Sequence, residues 1–378
     1  MDLHKQKQFI FMLCCIGNAV ISFNVAALVA ALPIIQKDLL ITEVQASQII
    51  PFYMIPYGVS ALIFALLTRW ISYRSVLAIT LFLYGVASLI CVFLNSLIGL
   101  LVARILMGVA AASVIPIGLM LVGELFDKNV RGRLVGLFFG SSFIASMLGI
   151  ICLGLLPWRC LFFVPGIFGI FLGGSYYIIK FDLLRRKHSA EINYLKILSG
   201  IQIRDVFIFI FAISFLYHAA NAWLGVYLSK FYGASKGLIS LFFMAMSISA
   251  FLGQVMGGFV SDRLTRRASC VTGIIALSFS IIIIGIHFPL IITFIAMLIF
   301  SMAWTIGHNG LSTVLTDLPD NDRPAVSALN SAVRFISGGI GIQLSGFFIE
   351  KSFGLTFCGI GVLILLLLFI INRLKLEY

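Results

Sequence analysis

Several side chains stand where an apolar chain should not carry them. Arg104, His218, His308 and Arg334 lie inside long hydrophobic runs, as do Asn18, Asn24, Asn221 and Asn309. A charged or strongly polar side chain is costly in hydrocarbon, so such residues usually face the interior of a bundle and mark a solute or proton path. Imidazole titrates near neutral pH and can carry a proton. A guanidinium stays charged and needs a partner, which a substrate anion can be. No Asp or Glu stands in the middle of a run; Glu124, Asp205 and Asp317 sit near the ends. Proton-driven cation exporters need a buried carboxylate that exchanges a proton for the cation, so this set favours a neutral or anionic solute. An enzyme is not expected, because no H-E-x-x-H, G-x-S-x-G or paired-acid motif falls within a run. The seven cysteines lie almost all in the same runs with no C-x-x-C pair. They read as small buried hydrophobes, and neither a metal nor a cofactor is expected.

The elements that must hold these residues are twelve apolar runs: 9–32, 47–68, 75–94, 97–123, 134–154, 161–180, 206–229, 238–260, 269–287, 289–315, 325–348 and 354–372. Each is long enough for a helix to cross a hydrocarbon core, which takes about 20 residues. Helices satisfy their own backbone in lipid, and nothing here alternates as the strands of a barrel do. Only 11% of the chain is charged, against about a quarter of a soluble domain, which is too little to cover a water-facing surface. The first run is too long for the apolar core of a signal peptide and reads as a retained span. With the N-terminus placed in the cytoplasm, 19 Lys and Arg fall on that side and 5 on the other. Both termini are then expected inside, and the net charge of +12 needs no nucleic acid to explain it. The expected fold is an all-α integral membrane protein in two six-helix halves, 1–180 and 206–378, joined by a charged cytoplasmic loop over 181–205.

The halves resemble each other. Shifted by 194 residues, the spans superpose, and the loop from Thr68 to Arg74 meets that from Asp262 to Arg267. Glu124, Asp127 and Arg131 are spaced like Asp317, Asp320 and Arg323, one residue looser. Such duplication marks secondary transporters, which rock one half against the other around a midplane site. On that shift Asn24 and His218 are expected to face one another across the pseudo-twofold axis. Asn221 lies one turn beyond His218 on the same helix face.

The motifs point to a family. G-G-F-V-S-D-R-L-T-R-R (257–267) resembles the loop signature of the major facilitator superfamily, with Thr265 at a usual glycine, and L-L-V-A-R-I-L-M-G (100–108) resembles its fourth-span motif. F-N-V-A-A-L-V-A-A-L-P (23–33), W-R-C-L-F-F-V (158–164) and S-A-L-N-S-A-V-R-F-I-S-G-G-I-G (327–341) resemble segments of its drug:proton antiporter branch. There are departures: Thr68 stands where the family prefers Asp, Asn24 where the antiporters have Asp, and G-S-S-F-I-A-S-M-L-G (140–149) lacks their Gly-Pro pair. The resemblance implies the major facilitator fold, with spans 1, 4, 7 and 10 around a central cavity. Candidate pathway residues are then Asn24, Arg104, His218, Asn221, His308, Asn309 and Arg334. Candidate gating residues are Thr68, Arg69, Glu124, Asp127, Arg131, Arg133, Asp262, Arg263, Arg266 and Asp317. Tyr217 and Trp223 are candidate aromatic walls, while Tyr53, Tyr57 and Trp304 read better as packing. Asn18 and Asn24 serve equally well as bonds to neighbouring helices, and Arg334 as a tie between elements.

The expected function is secondary transport of a small organic solute, with proton-exchange efflux from a bacterial inner membrane as the leading form. A metabolite uptake symporter or uniporter is the alternative, and a non-transporting receptor or assembly subunit on the same scaffold is the alternative of another class. A monomer needs only solute, protons and lipid as partners. The loop charges give the first test. The resemblance sets Asp262 against the start of span 5, where helix N–H groups and the arginines at 131 and 133 attract a carboxylate. Asp262→Asn should therefore shift the population toward inward opening, by about ten-fold per 1.4 kcal/mol lost. Distances between labelled cytoplasmic loops read this out, and an unmoved distribution would leave those charges to topology alone.

Overall fold

Apolar runs of this length leave helix as the backbone's solution in lipid, and helix is what forms. The computed structural model describes residues 3–179, 182–185, 192–263, 265–316, 323–371 and 374. Among the described residues, twelve helical spans are long and apolar enough to cross a membrane: Leu3–Leu39, Glu43–Leu67, Tyr73–Phe93, Leu97–Leu125, Arg133–Leu155, Cys160–Ile178, Ile201–Tyr232, Lys236–Gly257, Arg266–Gly285, Leu290–Gly307, Ala325–Ile349 and Phe353–Ile371. They match the expected runs one for one and differ at their ends. The linking segment carries two short helices, Asp182–Arg185 and Tyr194–Ser199. Large apolar side chains such as Ile98, Phe171, Phe347 and Phe369 stay exposed on the outside of the bundle, as a lipid-facing surface requires. An even number of spans returns the chain to its starting side, here the terminal face; the opposite side is the far face.

Four spans are interrupted. Span 1 divides into Leu3–Ser22 and Val25–Leu39, span 2 into Glu43–Ser47 and Pro51–Leu67, span 4 into Leu97–Ala111 and Val114–Leu125, and span 7 into Ile201–Asn221 and Leu224–Tyr232. Pro51 and Pro116 account for two of these breaks, because proline brings no N–H for the carbonyl four residues earlier. At the breaks in spans 1 and 7, Asn24 and Trp223 take the same backbone conformation, with φ/ψ of −99°/0° and −98°/−6°. The two breaks stand 199 residues apart, while the close contacts of the same spans repeat at a shorter interval: Gly149 of span 5 lies against the Phe23 carbonyl and Gly341 of span 11 against the Phe215 carbonyl, each member 192 residues from its counterpart. The shift of 194 therefore holds to within two residues at that contact, and the break in span 7 comes later in its span than the break in span 1.

Spans 3 and 6 pack side by side in the first half, and span 9 packs on spans 10 and 12 in the second. The halves meet along spans 2 and 11, spans 5 and 8, and the far ends of spans 1 and 7. Tyr57 stacks on Phe335 at 4.0 Å between ring centres, and Phe143 meets Phe251 edge-on at 6.4 Å. At the far end of span 1, Pro33 leaves the Val29 carbonyl without its helical donor. That oxygen rests against Gly225, where any Cβ would stand 2.7 Å from it. Lys230 Nζ pairs with Glu43 Oε2 at 3.1 Å, and Lys236 Nζ donates to the Leu156 carbonyl at 2.6 Å. The far face is closed by these contacts between halves.

Gly225→Leu should weaken that closure. Overpacking a tight contact costs about 1–3 kcal/mol, so the population open at the far face should rise about ten-fold or more. Distances between spin labels on the far ends of spans 1 and 7 would report it, and an unchanged distribution would show that this approach does not hold the face shut.

Candidate functional site

The second half brings together Ser214, His218, Asn221 and Arg334. Ser214, His218 and Asn221 are spaced i, i+4, i+7 on span 7 and so form one stripe. Ser214 is fully buried with its Oγ unpartnered, while His218 and Asn221 are half-buried. Neither the ring nitrogens of His218 nor the amide of Asn221 makes a hydrogen bond among the described residues. The His218 ring packs on Gly338 of span 11, where an added Cβ would come within 2.6 Å of both its Cδ2 and Met54 Cε. Tyr217 lies flat on Trp304 of span 10 with ring centres 3.9 Å apart, and Trp304 meets His218 edge-on at 6.0 Å.

Arg334 stands on span 11 within electrostatic reach of His218. Its Nε donates to Asn330 Oδ1 at 2.8 Å, one turn back on the same helix. Its Nη2 is buried and has no hydrogen-bond partner among the described residues. Arg334 and Trp304 line a cavity of about 20 Å³ whose apolar wall includes Phe209, Ile213 and Leu277. That space holds about one water. A water there satisfies a donor but supplies no countercharge.

The first half uses its polar residues differently. After Pro51, the Tyr53 N–H bonds to Ile50 O at 3.1 Å, and the Ile49 carbonyl turns to Arg104, whose Nε donates to it at 3.0 Å. The guanidinium lies 4.1 Å over the Tyr53 ring and is buried. One turn on, Gly108 admits the Tyr53 carbonyl, which a Cβ would meet at 2.3 Å. The Arg-x-x-x-Gly spacing thus fits span 4 around the break in span 2. Asn24 is fully buried, and its Nδ2 donates to Leu161 O at 3.3 Å, the carbonyl that Pro165 leaves without a helical donor. Asn18 donates to Phe138 O at 2.8 Å and to Ser142 Oγ at 2.6 Å, tying span 1 to span 5. Trp223 is buried and donates to Ser345 Oγ at 2.8 Å, so it ties span 7 to span 11 and forms no exposed wall.

The Major Facilitator Superfamily model matches residues 14–342. The chain belongs to the Major Facilitator Superfamily. The riboflavin transporter RibZ of Clostridioides difficile is 26% identical over 45% of this chain and 39% of its own length. The benzoate transport protein of Acinetobacter baylyi is 23% identical over 69% of this chain and 66% of its own. The match thus spans less than two thirds of either relative. Among solved structures, an inward-facing, unoccupied bacterial homologue of the lysosomal transporter Spinster superposes with a TM-score of 0.75. It is 14% identical over 97% of this chain and 95% of its own, and so speaks to the fold alone. The superfamily and these relatives are transporters, not enzymes.

The candidate gating residues of this superfamily member are placed unevenly. Thr68 is fully buried inside the first half, its hydroxyl donating to Ala65 O at 2.7 Å and lying 3.8 Å from Met120 Sδ of span 4. Its contacts lie within its own half, and an Asp at this position would bury a carboxylate rather than add a latch. Glu124 accepts from the Tyr73 hydroxyl at 2.5 Å, and Arg131 Nε donates to Phe126 O at 2.8 Å, which orders the turn between spans 4 and 5. Arg69 lies 5.9 Å over the Trp70 ring, while Asp127 and Arg133 are exposed at the start of span 5. Arg266 opens span 9. Asp262 and Arg263 end the helix Lys236–Arg263, and His308 and Asn309 lie on Leu290–Thr316, with all four side chains outside the described ones. Asp317 lies outside the described residues.

Asn330 and the far-face pair Glu43–Lys230 escaped the sequence reading. The four-residue spacing from Asn330 to Arg334 was the available signal for the first; nothing local signals an ion pair between residues so far apart in the chain. For Arg104 a stability test follows. Arg104→Lys removes the planar group that bonds Ile49 O and covers Tyr53 at once. Leaving a buried carbonyl unpaired costs about 1–3 kcal/mol. Thermal unfolding of the purified protein in detergent should show a lower midpoint, larger for Arg104→Met, with transport slowed in both. An unchanged midpoint would mean that the clamp does not support the break.

Proposed function

We propose that this chain is a secondary active transporter that moves a small neutral or anionic organic solute by alternating access, coupled to protons. The observation that carries this reading is the half-buried stripe of His218 and Asn221 beside Arg334, whose buried Nη2 has no hydrogen-bond partner among the described residues, in a bundle with no acidic residue in mid-span. Benzoate is an anionic aromatic carboxylate and riboflavin a flat ring system, so the solutes named for the relatives fit the same preference. The residues 1–180 and 206–378 act as rocking halves, and the 19-to-5 distribution of Lys and Arg supports a cytoplasmic terminal face in a bacterial inner membrane. A monomer suffices for this cycle. With the far face shut, the next step is breakage of the Lys230–Glu43 pair and separation of Gly225 from Val29.

The resemblance of spans 1, 6 and 11 to the drug:proton antiporter branch supports efflux. The closeness of His218 to Arg334 supports the second reading, symport: two cations side by side repel, and an anion seated with them removes the repulsion. Flux into proteoliposomes under proton gradients of either sign separates the two. His218→Gln should lower gradient-driven accumulation about ten-fold or more, a coupling loss of at least about 1.4 kcal/mol. Counterflow, which needs no proton, should persist. Wild-type flux should also vary with pH, as an imidazole that takes up and releases a proton requires. A pH profile that His218→Gln leaves untouched would exclude this histidine as the proton carrier.

A further inference from the structure

Among the described residues, Arg334 is a cation with a buried donor, Nη2, that has no hydrogen-bond partner. Desolvating a guanidinium without a countercharge is costly, and structural arginines in such places are paired. Arg104 shows one structural solution, with its Nε on a free carbonyl and its face on a tyrosine ring. Arg334 has half of that solution: Asn330 fixes its Nε at 2.8 Å and so aims the guanidinium plane, while the buried Nη2 has no partner. No Asp or Glu in mid-span is available to it, and the adjoining cavity of about 20 Å³ admits one water-sized atom, not a protein side chain.

We propose that Arg334, oriented by Asn330 and flanked by His218, is the subsite that receives the carboxylate of a small organic monocarboxylate during transport. A carboxylate offers two oxygens to a guanidinium edge in a planar, paired geometry. One oxygen fits the water-sized space at Arg334, and the other lies toward the half-buried His218, whose ring nitrogens are unbonded among the described residues. Among the described residues, the charged and titratable groups that act on or touch His218 are Arg334 on span 11 and Tyr217 beside it on span 7, and Trp304, Gly338 and Met54 also pack near it. None of these is an anion, so the proposed solute brings the negative charge. The body of the solute then extends from this corner along the span 7 stripe toward Asn221. This assignment rests on the transporter reading and narrows it from neutral or anionic solutes to carboxylates.

The test compares acids with their uncharged amides in proteoliposomes holding the full chain: radiolabelled benzoate against benzamide, nicotinate against nicotinamide, and riboflavin as a neutral flat solute. Wild-type counterflow should favour at least one acid over its amide by about ten-fold or more, a ratio worth about 1.4 kcal/mol. Arg334→Gln should erase that preference, Arg334→Lys should retain part of it, and Asn330→Ala should lower the acid-to-amide ratio. Each variant is first checked for a monodisperse elution profile. Should Arg334→Gln fail to fold, Asn330→Ala and Arg334→Lys carry the comparison. If wild type moves the amides or riboflavin as well as the acids, or if the variants keep the acid preference, the subsite assignment falls and the transporter reading stands. If wild type moves none of these solutes under any gradient, both fall.

Discussion

Inside a membrane no water is at hand for a backbone carbonyl, and the molecule is organised around that constraint. Its spans bend and break, and every proline in them releases an acceptor. The Ile49 carbonyl goes to Arg104 Nε, the Leu161 carbonyl to Asn24 Nδ2, and the Val29 carbonyl lies against Gly225 of the other half. Each of these is a long-range contact, so each break in a helix also fixes how two spans sit together. The polar and small residues that look like function in an apolar sequence are partly the means by which irregular helices are tolerated.

The two halves place their polar residues differently. In the first half, Asn18, Asn24 and Arg104 are fully buried or nearly so, with donors on backbone or side-chain oxygens of neighbouring spans, while Asn18 Oδ1, Asn24 Oδ1 and the Tyr57 hydroxyl are buried without partners among the described residues. In the second half, Ser214 Oγ and Arg334 Nη2 are buried without partners, and His218 and Asn221 are half-buried with none among the described residues. A satisfied polar group rigidifies a bundle; an unsatisfied one costs free energy until something binds it. Unpartnered groups thus stand in both halves, and what sets the second apart is a cation among them, Arg334, beside the half-buried His218 and Asn221.

The twelve spans were legible because run length and hydropathy are local properties that lipid enforces strictly. The family motifs were legible for a related reason: Arg104 and Gly108 sit one turn apart because together they grip residues 49–53. What was not legible depended on partners distant in the chain. Asn24 looked like a cavity residue, yet the donor it supplies is called for by Pro165 in another span. Thr68 occupies a position of the loop signature, but its hydroxyl turns to Ala65 and Met120 inside its own half. His308, Asn309, Asp262 and Arg263, whose side chains lie outside the described ones, keep the standing of sequence expectations.

The far-face closure shows how little energy such a machine can commit to one state. Lys230 and Glu43 keep 50% and 24% of their side-chain surface exposed, and exposed pairs contribute about 0–1 kcal/mol. Lys236 adds a single hydrogen bond to a carbonyl at the rim. A third contact, Gly225 on Val29, brings two backbones close without a glycine side chain to bury. None of these three is strong by itself. A transporter must visit both open states within each cycle, so neither closure can outweigh the other by more than solute and proton binding can reverse. A latch built from one solvated ion pair, one rim hydrogen bond and one glycine meets that limit. A buried ion pair at the same place would lock the far face against the solute it has to admit.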